Sequence, residues 1–324
     1  MSFKEIIGQE TAIKILQNSL KERRRGISYL FYGPDGVGKS FTAKQFAKSL
    51  NCREDAPDSC EQCPPCFKSD KLEHPDLHWL DLKEDSESVG IEQIRQMQSA
   101  VNLKPFEGRV KVFVINNAQA LSEEAANCLL KVIEEPPADS VIILITTRLR
   151  AVLPTISSRC QKIKFSNLRR TQVEGILKQD YALGHQQSSY LARYCDGKIG
   201  EAKALGRGDF LTKRKGILDT FLHGEAQRGL EEFFKDKAQA VQALSILMSY
   251  FRDVLFVKAG MGLEYLINQD RFQEVMSASR MCTYSELLSL LAKLSKSFEY
   301  IDQNINIRLL TDNIWTASRR IWKK

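Results

Sequence analysis

The fold of this chain is decided by the stretch Tyr29–Ser40, which reads YLFYGPDGVGKS. Its first four residues are apolar or aromatic and run into Gly33-Pro34, a pattern that predicts a buried strand entering a glycine-rich loop. The loop matches the motif G-x-x-x-x-G-K-[ST], in which backbone N–H groups turn inward around phosphates at the start of a helix. We expect that helix over residues 39–50. The stretch therefore predicts a strand, a phosphate-binding loop and a helix in succession.

The motif assigns a role to its polar residues. Lys39 is expected to contact the β- and γ-phosphates of a nucleotide, and Ser40 is expected to contact Mg²⁺. The predicted nucleotide-binding residues are Gly33, Gly36, Gly38, Lys39 and Ser40. The alternative is a glycine-rich turn with a structural role only.

Outward from this loop, strands and helices alternate. Residues 110–115 and 141–146 are apolar and predict two further strands, and residues 122–134 between them predict a helix. Strands that alternate with helices predict a parallel α/β sheet. After Phe165 the strand patterns end, and the rest of the chain predicts helices separated by glycines. Within that part, residues 241–257 carry an apolar stripe at helical spacing, which favours a bundle core over a binding face.

The strand predicted over residues 110–115 ends in an unusual way for a nucleotide hydrolase. Hydrolysis requires a carboxylate at such a strand tip to hold Mg²⁺ and a neighbouring group to activate water. Here Asn116 and Asn117 follow the strand. An amide accepts no proton near neutral pH, so the sequence predicts nucleotide binding with little or no turnover. That prediction also holds if the two residues only end the strand.

Four cysteines are crowded into one short segment. Cys52, Cys60, Cys63 and Cys66 form the pattern C-x₇-C-x₂-C-x₂-C, which is typical of a structural zinc site with all four positions filled. A redox dithiol or incidental thiols are the alternatives. The remaining cysteines are scattered and are expected to act as small buried apolar residues.

Length and composition limit the classes of protein to which the chain can belong. The chain has 324 residues, 43% of them hydrophobic and 27% charged, which predicts a folded protein of about two domains. We expect no transmembrane helix, because its apolar runs are far shorter than about 18 residues. A mixed-charge N-terminus argues against export, and the cysteine usage favours a reducing compartment, so we expect the cytoplasm. The net charge of +7 permits a polyanionic partner without establishing one.

Several segments taken in order resemble bacterial AAA+ clamp-loader subunits of DNA polymerase III, most closely the delta-prime branch. The resemblance covers nearly the whole chain. Besides the phosphate-binding loop and the cysteine insertion, it is carried by Ile7-Gly8-Gln9, Leu129-Leu130-Lys131, Glu134-Glu135-Pro136-Pro137 and Leu153–Cys160. The last segment contains Ser158-Arg159-Cys160, and the resemblance implies that Arg159 is an arginine finger supplied to the ATP site of an adjacent subunit. It also implies that Thr147 lies at the position of a γ-phosphate sensor.

The resemblance further implies a layout in three parts. These are an AAA+ nucleotide-fold domain over residues 1–166 with a zinc module at about 52–66, a small helical lid over 167–207, and an all-α collar domain over 208–324. Motor subunits of clamp loaders carry an Asp-Glu pair after the strand and an arginine in the lid, where this chain has Asn116-Asn117 and Gly200. The implied role is a non-hydrolysing subunit that completes a neighbour's ATP site.

The implied partners are the motor (gamma/tau) and delta subunits of a hetero-oligomeric ring, and indirectly the sliding clamp and primed DNA, without a membrane. Two other functions are compatible with the sequence. One is an active motor ATPase, of the gamma/tau type or another AAA+ enzyme, in which Glu123 or Glu124 replaces the missing base. The other is a zinc-dependent DNA-binding module, although no basic recognition helix follows the cysteines.

Overall fold

The computed structural model describes residues 2–54, 56–82, 90–223, 232–303 and 307–322. Contacts between residues divide the chain into two compact units, one holding residues up to 172 together with 197–200, the other holding 173–196 together with 201 onward. The three-part layout implied by the resemblance stays a prediction.

The first unit is built on a five-stranded parallel sheet. Its strands are β1 (Ile27–Tyr32), β2 (Leu77–Leu80), β3 (Lys111–Ile115), β4 (Ser140–Thr146) and β5 (Gln161–Lys164). They lie in the order β2-β3-β4-β1-β5, with Tyr29 opposite Ile143 and Phe113 opposite Ile142. The three strands predicted from the sequence are therefore present, and β2 and β5 are additions at the two edges.

Helices cover both faces of this sheet. They are α1 (Glu10–Lys21), α2 (Lys39–Leu50), α3 (Pro64–Asp70), α4 (Ile91–Val101), α5 (Glu123–Glu134) and α6 (Pro154–Arg159). Because side chains alternate along a strand, Phe31 packs with α1 and α2 in one core, and Leu30 packs with α4 and α5 in the other. The central strands are buried on both sides, as expected of a parallel sheet.

The parallel direction determines where a site can form. The carboxyl ends of β1, β2, β3 and β4 meet at one edge of the sheet, where ligands bind in open α/β folds. The loop after β1, Asp81 after β2, Asn116 after β3 and Thr147 after β4 therefore share that edge.

All regular secondary structure in the described residues of the second unit is helical. Its helices are α7 (Arg170–Tyr181), α8 (His185–Tyr194), α9 (Ile199–Arg207), α10 (Phe210–His223), α11 (Lys237–Lys258), α12 (Phe272–Met281), α13 (Tyr284–Asp302) and α14 (Ile307–Trp322), with the first residues of α7 and α9 assigned to the first unit. Helix α11 packs against α10, α12 and α13.

Helix α11 is the one described helix that is long and apolar enough to span a membrane. Of the predicted stripe, Leu244, Leu247, Phe251 and Val254 are fully buried, and Leu255 is partly buried. Burial of four of the five stripe residues agrees with the bundle-core interpretation of the stripe.

Candidate nucleotide site and cysteine cluster

The loop after β1 adopts a conformation that requires glycine. Gly33, Gly36 and Gly38 have φ angles of 150°, 70° and 98°, in a region that other residues rarely adopt. A Cβ atom at Gly33 would lie 2.2 Å from the carbonyl oxygen of Phe165. Gly38 is the N-cap of α2, so the loop leads directly into the helix, as the motif predicts.

Lys39 faces into the loop. Its side chain is buried, and its Nζ donates hydrogen bonds to the carbonyl oxygens of Gly33, at 2.9 Å, and Pro34. Burial lowers the pKa of the Lys39 ammonium, an effect that Asp35 partly offsets. A phosphate would replace these carbonyl oxygens as the partner of a desolvated cation.

The two strand-tip amides are held by a carboxylate that the sequence analysis did not single out. Asp81 follows β2 and accepts hydrogen bonds from Asn116 Nδ2 at 2.8 Å and Asn117 Nδ2 at 3.0 Å. The other end of the Asn116 amide, Oδ1, accepts a hydrogen bond from Ser40 Oγ at 3.4 Å. The serine of the phosphate loop is thus connected through an amide to a carboxylate on the neighbouring strand.

The same network extends to the end of β4. Gln119 Nε2 donates to Asn117 Oδ1 at 3.1 Å, and Gln119 Oε1 accepts from the backbone N–H of Thr147 at 3.3 Å. Thr147, the predicted sensor, therefore joins the network through its backbone. Strand β2 is short and has no apolar pattern that predicts it. Without that strand, no signal in the sequence places Asp81 beside Asn116 and Asn117.

Two further contacts close the loop. The backbone N–H of Gly200, at the start of α9, donates to the carbonyl oxygen of Gly36 at 2.8 Å. A Cβ atom at Gly200 would approach that same oxygen to 3.1 Å, so this lid position favours glycine. From the other side, Gln9 Nε2 donates to the carbonyl oxygens of Val37, at 3.3 Å, and Ser166, at 2.7 Å.

Arg159 is the last residue of α6, a helix that begins at Pro154. Its side chain is 41% exposed, and its Nε pairs with Glu134 Oε1 at 2.8 Å. One guanidinium nitrogen also donates to the carbonyl oxygen of Thr155 at 3.0 Å. The guanidinium is thus exposed at the surface while α5 and its own helix hold it in place.

The four predicted cysteine ligands come together. Their sulfur atoms all lie within 4.8 Å of one another, and those of Cys63 and Cys66 are 3.4 Å apart. Sulfur atoms bound tetrahedrally to zinc at about 2.3 Å would lie about 3.8 Å apart, so the group fits such an ion. It can bind a metal ion with four thiolates and no open position.

The thiols differ in their environment. Hydrogen bonding from the backbone N–H of Gln62 is the largest of the effects that lower the pKa of Cys60 to about 7. Burial raises the pKa of the Cys66 thiol. A bound cation would favour the thiolate form at each position, because metal ligation requires deprotonated sulfur.

The cysteine segment is anchored on α2. Lys48, fully buried, places its Nζ 2.6 Å from Glu61 Oε1 and 3.0 Å from Asp70 Oδ1. Asn51, next to Cys52, accepts from the backbone N–H groups of Arg109 and Val110 at 2.9 and 3.0 Å. Asp76 completes this anchoring because its carboxylate accepts hydrogen bonds from the backbone N–H groups of residues 106–108, which come directly before Arg109 in the chain.

Comparison with known proteins identifies relatives that cover most of the chain. Residues 8–169 match the family model described as DNA polymerase III, delta subunit, and residues 208–316 match the model of its C-terminal part. DNA polymerase III subunit delta' of Bacillus subtilis is 30% identical, over 94% of each chain. DNA polymerase III subunit tau of the same organism is 28% identical over 92% of this chain and 58% of that protein. A gamma subunit-related protein of Thermotoga maritima superimposes with a TM-score of 0.49 at 19% identity, covering 95% of this chain and 99% of that one.

Proposed function

This chain belongs to the delta-prime family of DNA polymerase III clamp-loader subunits, and we propose that it is a non-hydrolysing member of the loader ring. In this role it assembles with motor (gamma/tau) and delta subunits in the cytoplasm and helps to place the sliding clamp on primed DNA. It binds ATP with Mg²⁺ without turnover and presents Arg159 to the ATP site of a neighbour.

The observation that carries the proposal is the chemistry at the carboxyl ends of the strands. Ser40 meets Asn116 where a metal-binding acid is expected, and Asn117 donates to a carboxylate instead of accepting a proton from water. Asp81, the carboxylate of this network, is occupied by both amides. Its lowered pKa also makes it a weak general base at neutral pH.

Arg159 has the properties of a group that acts outside its own subunit. An arginine is permanently charged, and its planar fork matches the developing charge on a transferred phosphoryl group. The pairing with Glu134 holds the side chain in a defined direction, while 41% of it stays exposed. A neighbour's nucleotide could displace Glu134 or share the fork with it.

The cysteine cluster supports a structural zinc ion. The residues that would hold it are Cys52, Cys60, Cys63 and Cys66, and the ion would supply folding free energy to a polar segment that has few apolar residues of its own. The reduced thiols required for this site are consistent with the proposed cytoplasmic location.

The decisive experiment measures ATP hydrolysis by the loader reconstituted from this chain and its motor and delta subunits. Arg159→Ala should leave assembly intact and reduce turnover at the site it serves by on the order of a thousandfold. Arg170→Ala, an exposed arginine of the same unit, is the matched control and should not change turnover. Unchanged hydrolysis with Arg159→Ala would remove the arginine from this role.

A second measurement separates this function from that of a motor. The purified chain should bind ATP with Mg²⁺ and show no multiple turnover, and Lys39→Ala should abolish the binding. Robust hydrolysis by the chain alone, abolished by Lys39→Ala, would establish the motor ATPase instead.

A further inference from the structure

Asp81 is the charged member of a chain of hydroxyl and amide groups that links Ser40 to Thr147 along the edge of the sheet. We propose that Asp81 is a positioning residue: it fixes the orientation of both strand-tip amides, and it makes position 117 accept a neutral side chain and reject an acid. This inference deepens the proposed function and rests on it for its meaning in the loader.

The orientation follows from hydrogen-bonding chemistry. An ionised carboxylate only accepts hydrogen bonds, so the NH₂ group of each amide must face Asp81. The carbonyl oxygens then point the other way, Asn116 Oδ1 towards Ser40 and Asn117 Oδ1 towards Gln119. One carboxylate therefore determines which atom the strand tip offers to the phosphate loop.

The charge on Asp81 is stabilised in place. Burial by itself would raise the pKa of this carboxyl, but hydrogen bonds from Asn116, the backbone N–H of Leu82, Asn117 and Trp79 outweigh burial and lower it. The carboxylate is ionised at neutral pH and has its acceptor positions filled by donors.

An acid at position 117 would meet this charge directly. Asn117 Nδ2 lies 3.0 Å from Asp81 Oδ1, so a carboxylate there would replace a donor and acceptor by two acceptors of like charge. Two carboxylates at such a distance do not both ionise readily. In this chain, Asp81 and residue 117 therefore accommodate one acid between them.

An isosteric exchange of the two side chains tests this inference. Asn117→Asp and Asp81→Asn each change a single atom, and aspartate tolerates the left-handed backbone of residue 117, whose φ is 55°. Combining them restores one amide facing one carboxylate, in the opposite direction, but leaves the backbone N–H of Leu82, which donates to Asp81 Oδ1 at 2.8 Å, facing an NH₂ group. Gln119 Nε2 would still find an acceptor at residue 117.

The measurement is thermal unfolding of the full chain without nucleotide. Each single variant should lower Tm by about 3 °C or more. The double variant should recover part of the summed loss, so that its Tm falls by clearly less than the two single shifts added together. Asn102→Asp, an exposed asparagine of the same unit whose amide bonds Gln98, is the control. Combined with Asp81→Asn it should give additive shifts.

Additive losses in the exchanged pair would overturn the inference, and so would an Asn117→Asp variant as stable as the wild type. If Asn117→Asp does not fold, folding of the double variant supports the inference and its failure to fold overturns it. ATP binding by the wild type is measured separately. Recovery in the double variant without ATP binding by the wild type would retain the role of Asp81 and remove the nucleotide from the proposed function. ATP binding by the wild type with additive losses in the double variant would retain the nucleotide and overturn the role of Asp81.

Discussion

Replacement of Asp76 by asparagine tests how the segment before β3 is held. The carboxylate of Asp76 is fully buried and accepts from the backbone N–H groups of Phe106, Glu107 and Gly108 at 2.7, 2.9 and 2.7 Å. An asparagine has the same shape, but one of its two terminal atoms is a donor. Its best orientation keeps the two bonds to residues 107 and 108 and turns an NH₂ group towards the N–H of Phe106.

The magnitude follows from these three bonds. Hydrogen bonds to a charged acceptor contribute about 1.5–3 kcal/mol and neutral ones about 0.5–1.5 kcal/mol, so the two retained bonds weaken by about 1 kcal/mol each. The N–H that is left facing another donor costs a further 1–3 kcal/mol or so. We expect Asp76→Asn to reduce the free energy of unfolding by about 3–5 kcal/mol, or to lower Tm by about 6–20 °C.

Thermal unfolding as a function of pH is the assay. Burial would raise the pKa of Asp76, but the three backbone bonds outweigh it and hold the pKa below its ordinary value of 3.8. The stabilisation is therefore fully present above about pH 4 and is lost as the pH falls through the folded-state pKa. The difference between wild type and variant should be constant from pH 5 to 8 and shrink in acid.

The matched control is Asp139→Asn. Asp139 is 56% exposed and lies 3.4 Å from Arg25, so its replacement should change stability by less than about 0.5 kcal/mol. If Asp76→Asn is no more destabilising than this control at pH 7, or if its effect does not depend on pH, the carboxylate does not hold the segment and the reasoning is wrong.

Three other predictions follow from the packing. Removal of metal from the cysteine cluster by a strong chelator should lower the Tm of the first unit, and metal analysis should find about one zinc ion per chain before treatment. Gly108→Ala should destabilise by about 1–3 kcal/mol, because a Cβ there would lie 2.6 Å from Asn51 Oδ1. Gly175→Ala, exposed in the interior of α7 with no atom within 4 Å of an added Cβ, should not destabilise. Chemical denaturation of both variants measures the difference. Arg214→Lys should destabilise the second unit measurably in calorimetry, because lysine cannot reproduce the two bonds to Asp270 at 2.7 and 2.8 Å.

The central part of the fold was predictable because its signals are local. The strands β1, β3 and β4 are continuous apolar runs, and each lies within a residue or two of its predicted bounds. The edge strands were not predicted. In β2 the two middle residues are only partly buried, and in β5 Ile163 is the single buried residue, so pairing with a neighbouring strand defines them more than their own composition does.

The residues of the candidate site also divide into those that the sequence predicts and those that it does not. The residues of the phosphate loop lie within 15 positions of one another in the sequence, and so do those of the cysteine cluster. Their spacing therefore predicted that each set comes together. Asp81 and Asp76 act on residues about 30 or more positions away. A polar residue in a loop has the same sequence signature whether it faces water or a distant backbone, so only the fold distinguishes the two.

Helix α2 connects the two predicted sites. It begins at Lys39, in the phosphate loop, and ends beside Asn51, one residue before the first cysteine ligand. Buried Lys48 joins its last turn to Glu61 and Asp70 in and after the cysteine loop. A metal ion held there would therefore fix the far end of the helix that carries the phosphate loop.

Rigidity of this kind agrees with a subunit that completes a neighbour's site. A motor requires structural elements with two alternative arrangements, and the bound nucleotide determines which of the two is populated. Here the strand-tip amides have both ends hydrogen-bonded. Lys39 is bonded within the loop, and the carbonyl oxygen of Gly36 accepts from Gly200 of the same unit. A side chain that is presented to another subunit must be held in one geometry for catalysis there. A support with a single arrangement keeps that geometry. The ion pair with Glu134 of α5 and the hydrogen bond to the carbonyl oxygen of Thr155 in α6 would give Arg159 such a support.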